Sequence, residues 1–194
     1  ITSRAAPSSA AMNGTVHMLF LGAEGAGDYH PFSRLWTPAG GWTDGVQVGK
    51  WTGGAISGIA RSGTSLLALH GRTSSDAPSM ADSAVARTLY MNGSWGTEDC
   101  LQAGCPMPKE LTKNAITPAL AAIPGGWVAV FQDYDPGTPK LRWLTFVGSA
   151  SASTVVQSAG GTLYPDAGAE PPSLWPTADG AVLAYRGKNG EVVT

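Results

Sequence analysis

Charge is scarce in this sequence: only 13% of its 194 residues are charged, and the net charge is −2. A globular chain usually carries about a quarter. With no basic patch to neutralise phosphates, nucleic acid is excluded as a partner. No run of 18 apolar residues occurs, so no membrane-spanning helix is expected. Helical periodicity is missing too. No window of a dozen residues carries an i, i+3, i+4, i+7 apolar stripe with caps, and almost no helix is expected.

Cysteine is nearly absent. The only two, Cys100 and Cys105, stand in Asp99-Cys-Leu-Gln-Ala-Gly-Cys-Pro106. Four residues between them in a Gly-containing loop favour a small disulfide, formed in an oxidising, extracellular compartment. A metal site would need two further soft ligands nearby, and there are none. The chain opens on Ile1 rather than Met, which suggests processing, and any signal peptide would lie outside it.

Several catalytic signatures are also missing. His17, His30 and His70 have no metal-ligand spacing, there is no Gly-x-Ser-x-Gly elbow, and no glycine-rich phosphate loop opens a helix. Neither a metal nor a cofactor is expected. Asp133 and Asp135 flank Tyr134 and could pair as acid and nucleophile, but Asp-Tyr-Asp-Pro-Gly is also good turn chemistry, and the turn is favoured. Arg34, Arg87 and Arg142 fall on strands where a structural role is favoured.

What the chain has in plenty is glycine and proline. Gly 26 and Pro 14 make about a fifth of it, spread between apolar runs as turns between short strands would be. The stretch Pro118 to Asp133 reads as a short strand, a Pro-Gly-Gly turn and an apolar second strand. The same frame fits Pro172 to Gly187, with Val182 on Val128, Tyr185 on Phe131 and Arg186 on Gln132. It fits Pro7 to Gly22, with Phe20 on the aromatic position. It also fits Ser57 to Gly71 with one residue fewer, which puts Gly63 in the turn, Leu69 on the aromatic position and His70 at the strand end.

Repeat starts near Pro7, Ser57, Pro118 and Pro172 give spacings of 50, 61 and 54. Insertions at Thr73–Ser83 and around the cysteines account for the longest. Third strands follow at Phe32–Trp36, Ala86–Tyr90 and Lys140–Phe146; fourth strands open at Trp42 and Trp95 and lie within Ser153–Gln157. Asn13 and Asn92 begin Asn-Gly-Thr and Asn-Gly-Ser. These match glycosylation acceptors in form, though Asn-Gly is also the favoured hairpin turn.

Four antiparallel strands per unit of this length is the signature of a β-propeller blade. The sequence therefore predicts an all-β propeller domain over 1–194, with repeats at about 6–54, 55–113, 114–169 and 170–194. Trp36, Trp42, Trp95 and Trp143 are expected between sheets. The fourth repeat is cut short after Glu-Val-Val-Thr194, which suggests part of a larger propeller, or one completed by another chain. A β-sandwich is the rival fold, but it would not repeat one frame four times.

Pro172-Ser-Leu-Trp, the turn at Gly180 and the ending Tyr185-Arg-Gly-Lys-Asn-Gly resemble the repeats of secreted bacterial propeller lectins. They are also similar to the propellers of sialidase-like proteins. The sialidase Asp box, Ser-x-Asp-x-Gly-x-x-Trp, is absent; Thr177-Ala-Asp-Gly180 is only a fragment of it. The resemblance implies a secreted, non-catalytic, glycan-binding module.

Positional reasoning points to one rim. The second strands end at Leu21, His70, Gln132 and Arg186, next to aromatics and to Asp133 and Tyr134. Planar polar groups for hydroxyls beside aromatic rings for C–H faces suit a sugar. Ordinary strand ends facing water carry the same residue types. The candidate ligand-binding residues are His70, Gln132, Asp133, Tyr134 and Arg186. Two other readings stand beside the lectin: a scaffold that binds an extracellular protein through its insertions, and a glycoside hydrolase or lyase completed outside this chain.

Overall fold

Apolar runs punctuated by glycine and proline fold into strands, with no helix among the described residues. The computed structural model describes residues 7–23, 29–48, 53–72, 84–96, 99–100, 119–135, 138–148, 155–164 and 172–194. The first sheet pairs β1 (Ser8–Met12), β2 (Thr15–Ala23) and β3 (Tyr29–Thr37), with its outer edge split into β4 (Gly41–Trp42) and β5 (Val46–Gln47). The second pairs β6 (Gly53–Ser62), β7 (Ser65–Arg72) and β8 (Ala84–Met91), and its edge is split likewise into β9 (Ser94–Trp95) and β10 (Asp99–Cys100). The third holds β11 (Ala119–Ile123), β12 (Gly126–Asp135), β13 (Thr138–Gly148) and β14 (Val155–Tyr164). The fourth holds β15 (Ser173–Pro176), β16 (Ala181–Arg186) and β17 (Val192–Val193).

Every pairing is antiparallel, and the first strand of each sheet packs on the first strand of the next: β1 on β6, β6 on β11, β11 on β15. These are four blades of a β-propeller. First strands of successive blades come close together. Gly58 lies between Ser8 of the first blade and Leu120 of the third, and the Ile59 N–H donates to Ser8 Oγ at 3.2 Å.

Two-residue turns fix the register of the first three hairpins, each with a different backbone. Asn13 and Gly14 have φ of 52° and 76°, the type I′ pattern that suits twisted strands. Gly63 has φ of 58° and Thr64 is not in the positive region, so the glycine leads, as in type II′. Pro124 precedes Gly125 at φ of 79°, the type II order of proline then glycine. Asn92 and Gly93, at 54° and 87°, repeat the first device between β8 and β9. In both sequons the Asn-Gly pair is the turn.

Alternate residues of each second strand serve opposite neighbours. Leu19 and Leu21 of β2 meet Leu66 and Ala68 of β7. On the other face of β7, Leu67 and Leu69 meet Trp127, Ala129 and Phe131 of β12. Val130 in turn meets Tyr185 of β16. A strand covered on both faces must be apolar on successive residues, which explains the continuous runs. A buried polar link also joins the second and third blades: Trp127 Nε1 donates to the Ala60 carbonyl at 2.9 Å.

Three details differ from the sequence reading. Among the described tryptophans Trp127 is the fully buried one; Trp36, Trp95 and Trp143 are half-buried, and Trp42, on the short outer strand, is 45% exposed. The outer edge has no next strand to shield it. Strand β12 runs on to Asp135, paired with Thr138, so Asp133 and Tyr134 lie in a ladder opposite Lys140 and Pro139 rather than in a turn. Strand β14 runs to Tyr164, well past Gln157.

Candidate functional site in the cleft between the first two blades

The strand ends proposed from the sequence do not form one equivalent set. Phe20, Phe131 and Tyr185 are buried on the face toward the preceding blade or its equivalent, as the repeat frame requires. His70 shares a face with Leu66 and Ala68, two and four residues before it, and is fully buried. It therefore occupies the aromatic position of the second blade, one residue from where the frame put it.

The slip comes from the turns. Gly14 is the second central residue of its turn and Gly63 the first of its own, so superimposing the glycines shifts the strand by one. A one-residue shift exchanges the two faces. His70 pairs with Ala86 and Ile56 in the ladder, and Leu21 is likewise buried. Arg186 is exposed and ends β16 opposite Val192. Gln132 faces Leu141 in the backbone register, and the side chains of Gln132, Asp133 and Tyr134 lie outside the described set. Cys100 sits on β10 opposite Ala86, while Cys105 and the Thr73–Ser83 insertion lie outside the described residues. Arg34 has a structural role: its Nε donates to the Thr43 carbonyl at 2.6 Å and holds the outer edge.

At the opposite end of the blades, a cleft of about 340 Å³ opens between the first and second. That volume is at the lower end of small-ligand pockets, roughly 300–1,000 Å³. The first blade contributes Met12, Asn13, Thr15, His17 and Leu35; the second contributes Thr64, Tyr90, Asn92 and Gly93. Hairpin geometry gathers them. The β1–β2, β6–β7 and β8–β9 turns all come to this end, bringing the two Asn-Gly pairs to one opening, where both asparagines are exposed.

An aromatic row crosses between the blades at the cleft. His17, opposite Leu35 in the β2–β3 ladder, meets the Tyr90 ring edge-on at 4.6 Å and 61°. Tyr90 meets Trp95 at 5.1 Å and 63°. His17 is 3% exposed, and burial pushes its pKa below the ordinary 6.5, because the charged imidazolium loses its hydration there. At neutral pH it is an uncharged ring with one donor and one acceptor nitrogen. Thr15 Oγ1 donates to the Met12 carbonyl at 2.6 Å and stiffens the turn. The Thr64 hydroxyl and the two Asn amides stand at the exposed mouth.

Chemically, the described lining offers neutral hydrogen-bonding groups beside aromatic rings. Among the described lining residues there is no carboxylate, and so no acid–nucleophile pair of the glycosidase kind. No cluster of three or more metal-ligating side chains occurs among the described residues. Sequence reasoning passed over the cleft, although both Asn-Gly pairs were conspicuous, because nothing local tells that hairpins from different blades converge.

No protein-family model matches the chain, and no curated protein matches it by sequence. Solved structures do. A sialidase variant of Trypanosoma rangeli with trans-sialidase activity aligns over 93% of this chain and 33% of its own, at 13% identity and a TM-score of 0.58. The GH32 β-fructofuranosidase of Bombyx mori aligns over 93% of this chain and 40% of its own, at 13% identity and TM-score 0.52. An endo-arabinase from Bacteroides thetaiotaomicron aligns over 96% and 72%, at 13% identity and TM-score 0.52. The likeness is one of fold. This chain spans about a third of the trypanosome enzyme and two fifths of the silkworm one.

Proposed function

We propose that this chain is a glycan-binding propeller module, with its first two blades holding a sugar in the cleft between them. The observation that carries the reading is the cleft itself. A buried neutral imidazole and an aromatic ring form its wall, amides and a hydroxyl ring its mouth, and none of its described lining residues is a carboxylate. Hydroxyls both donate and accept, and these groups offer both. The fold adds support, since propellers of this shape include proteins named for sialic acid, fructofuranoside and arabinan substrates. Secretion and a non-catalytic role belong to the same proposal.

The test is a glycan array and a protein pull-down run on one preparation. Array binding that falls on Tyr90→Phe or Asn13→Gly supports the cleft. Binding that falls on Arg186→Ala or Gln132→Ala instead moves the site to the opposite rim. A blank array beside specific protein capture replaces the reading with the scaffold that binds through its insertions. Sugar release from oligosaccharides would make the module an enzyme.

A further inference from the structure

We infer that the cleft between the first two blades takes an uncharged sugar and rejects its carboxylated counterpart, the uronic and sialic acids. This deepens the glycan-binding reading and rests on it. The inference comes from what lines the cleft. Of the nine described residues that line it, none is Arg, Lys, Asp or Glu. A sugar carboxylate leaving water needs a cation or several charge-assisted donors, best a bidentate guanidinium. The one titratable base on the wall is His17. It is 3% exposed, held edge-on against Tyr90, and kept in its neutral form by burial.

The nearest arginine along the chain to Thr64 does not fill this need. Arg61 directs its Nε–H to the Gly63 carbonyl at 2.8 Å and is not a lining residue. What remains are the Asn13 and Asn92 amides, the Thr15, Thr64 and Tyr90 hydroxyls and the His17 ring, neutral groups that match sugar hydroxyls and give nothing extra to a charge. A carboxylate placed here loses its hydration and gains no counter-ion, so the cleft discriminates by leaving the charge unpaired.

The experiment uses matched pairs that differ only at C6: the methyl glycosides of glucose, galactose and mannose against those of the corresponding uronic acids. Affinities are measured with the intact chain at pH 7.5 by calorimetry or ligand-observed NMR. The expected result is that at least one neutral glycoside binds tenfold or more tighter than its uronide, with little dependence on salt. Asn92→Gly should lower that affinity about fivefold, because the amide is lost while the positive φ of the turn is kept. A uronide that binds as well as its neutral partner, or better, overturns the inference and leaves the glycan reading standing. If no glycoside of either series binds, both fall. Neutral binding unchanged in Asn92→Gly and in Asn13→Gly overturns the placement in this cleft.

Discussion

Replacing Trp127 with Phe isolates a buried polar link between the second and third blades. The indole is 2% exposed, packed among Leu67, Leu69 and Phe146, and its Nε1 donates to the Ala60 carbonyl at 2.9 Å. Phenylalanine keeps an aromatic ring but has no donor. A buried acceptor left unmet costs about 1–3 kcal/mol. The missing fused ring is worth one to two methylene groups, roughly 1–2 kcal/mol at about 0.8 kcal/mol each. The expected loss is therefore about 2–5 kcal/mol, a large share of the roughly 5–15 kcal/mol typical of a domain. Urea denaturation followed by tryptophan-independent far-UV signal measures it, with the slope m unchanged if only stability moves. Trp127→Ala should cost more than Trp127→Phe. A loss below about 1 kcal/mol in Trp127→Phe would mean that the bond is not formed or is replaced by water, and would refute the tie between the second and third blades.

Three other measurements bear on the same frame. A Cβ at Gly126 would overlap the Phe146 carbonyl oxygen across the ladder, so Gly126→Ala should lower stability by about 1–3 kcal/mol in a thermal melt. His17 resists in the folded state a proton that the unfolded chain accepts, so stability is full above about pH 6.5 and falls as pH drops toward its lowered folded value. His17→Gln should flatten that part of a stability–pH curve, and a wild-type curve with no slope there would contradict the burial. Arg186→Ala should change stability by no more than about 0.5 kcal/mol, whereas Tyr185→Ala, adjacent but facing Val130 in the core, should cost about 3–5 kcal/mol in the same denaturation assay.

The blades were readable in the sequence because each needs a two-faced apolar strand between turn formers, and both leave local marks. Leu66 to Leu69 are apolar without a break because Leu66 and Ala68 face one blade while Leu67 and Leu69 face the other. Asn13-Gly14 and Asn92-Gly93 announce their turns because few residues tolerate positive φ. The outer edge was less readable. Trp42 and Trp95 sit in corresponding two-residue strands, paired with Trp36 and Tyr90, yet the first is exposed and the second half-buried. Each places a tryptophan opposite another aromatic residue, and the surroundings decide the exposure.

His70 shows why the site was harder to read than the fold. Counted without a gap from Ser57, it falls on the positions of Phe20 and Phe131, where the structure puts it. A gap is tempting only because Gly63 then superimposes on Gly14, and that equates the first residue of a II′ turn with the second of a I′ turn. Strand existence survives such an error; which face a side chain takes does not, since the period is two. A binding surface is a statement about faces. The cleft lay further out of reach, because Asn13 and Asn92 are far apart in sequence and meet only when the β1–β2 and β8–β9 turns come to the same end of neighbouring blades. Repetition reveals what blades share, whereas a cleft lined by His17 on one side and Tyr90 on the other depends on how two unlike copies differ.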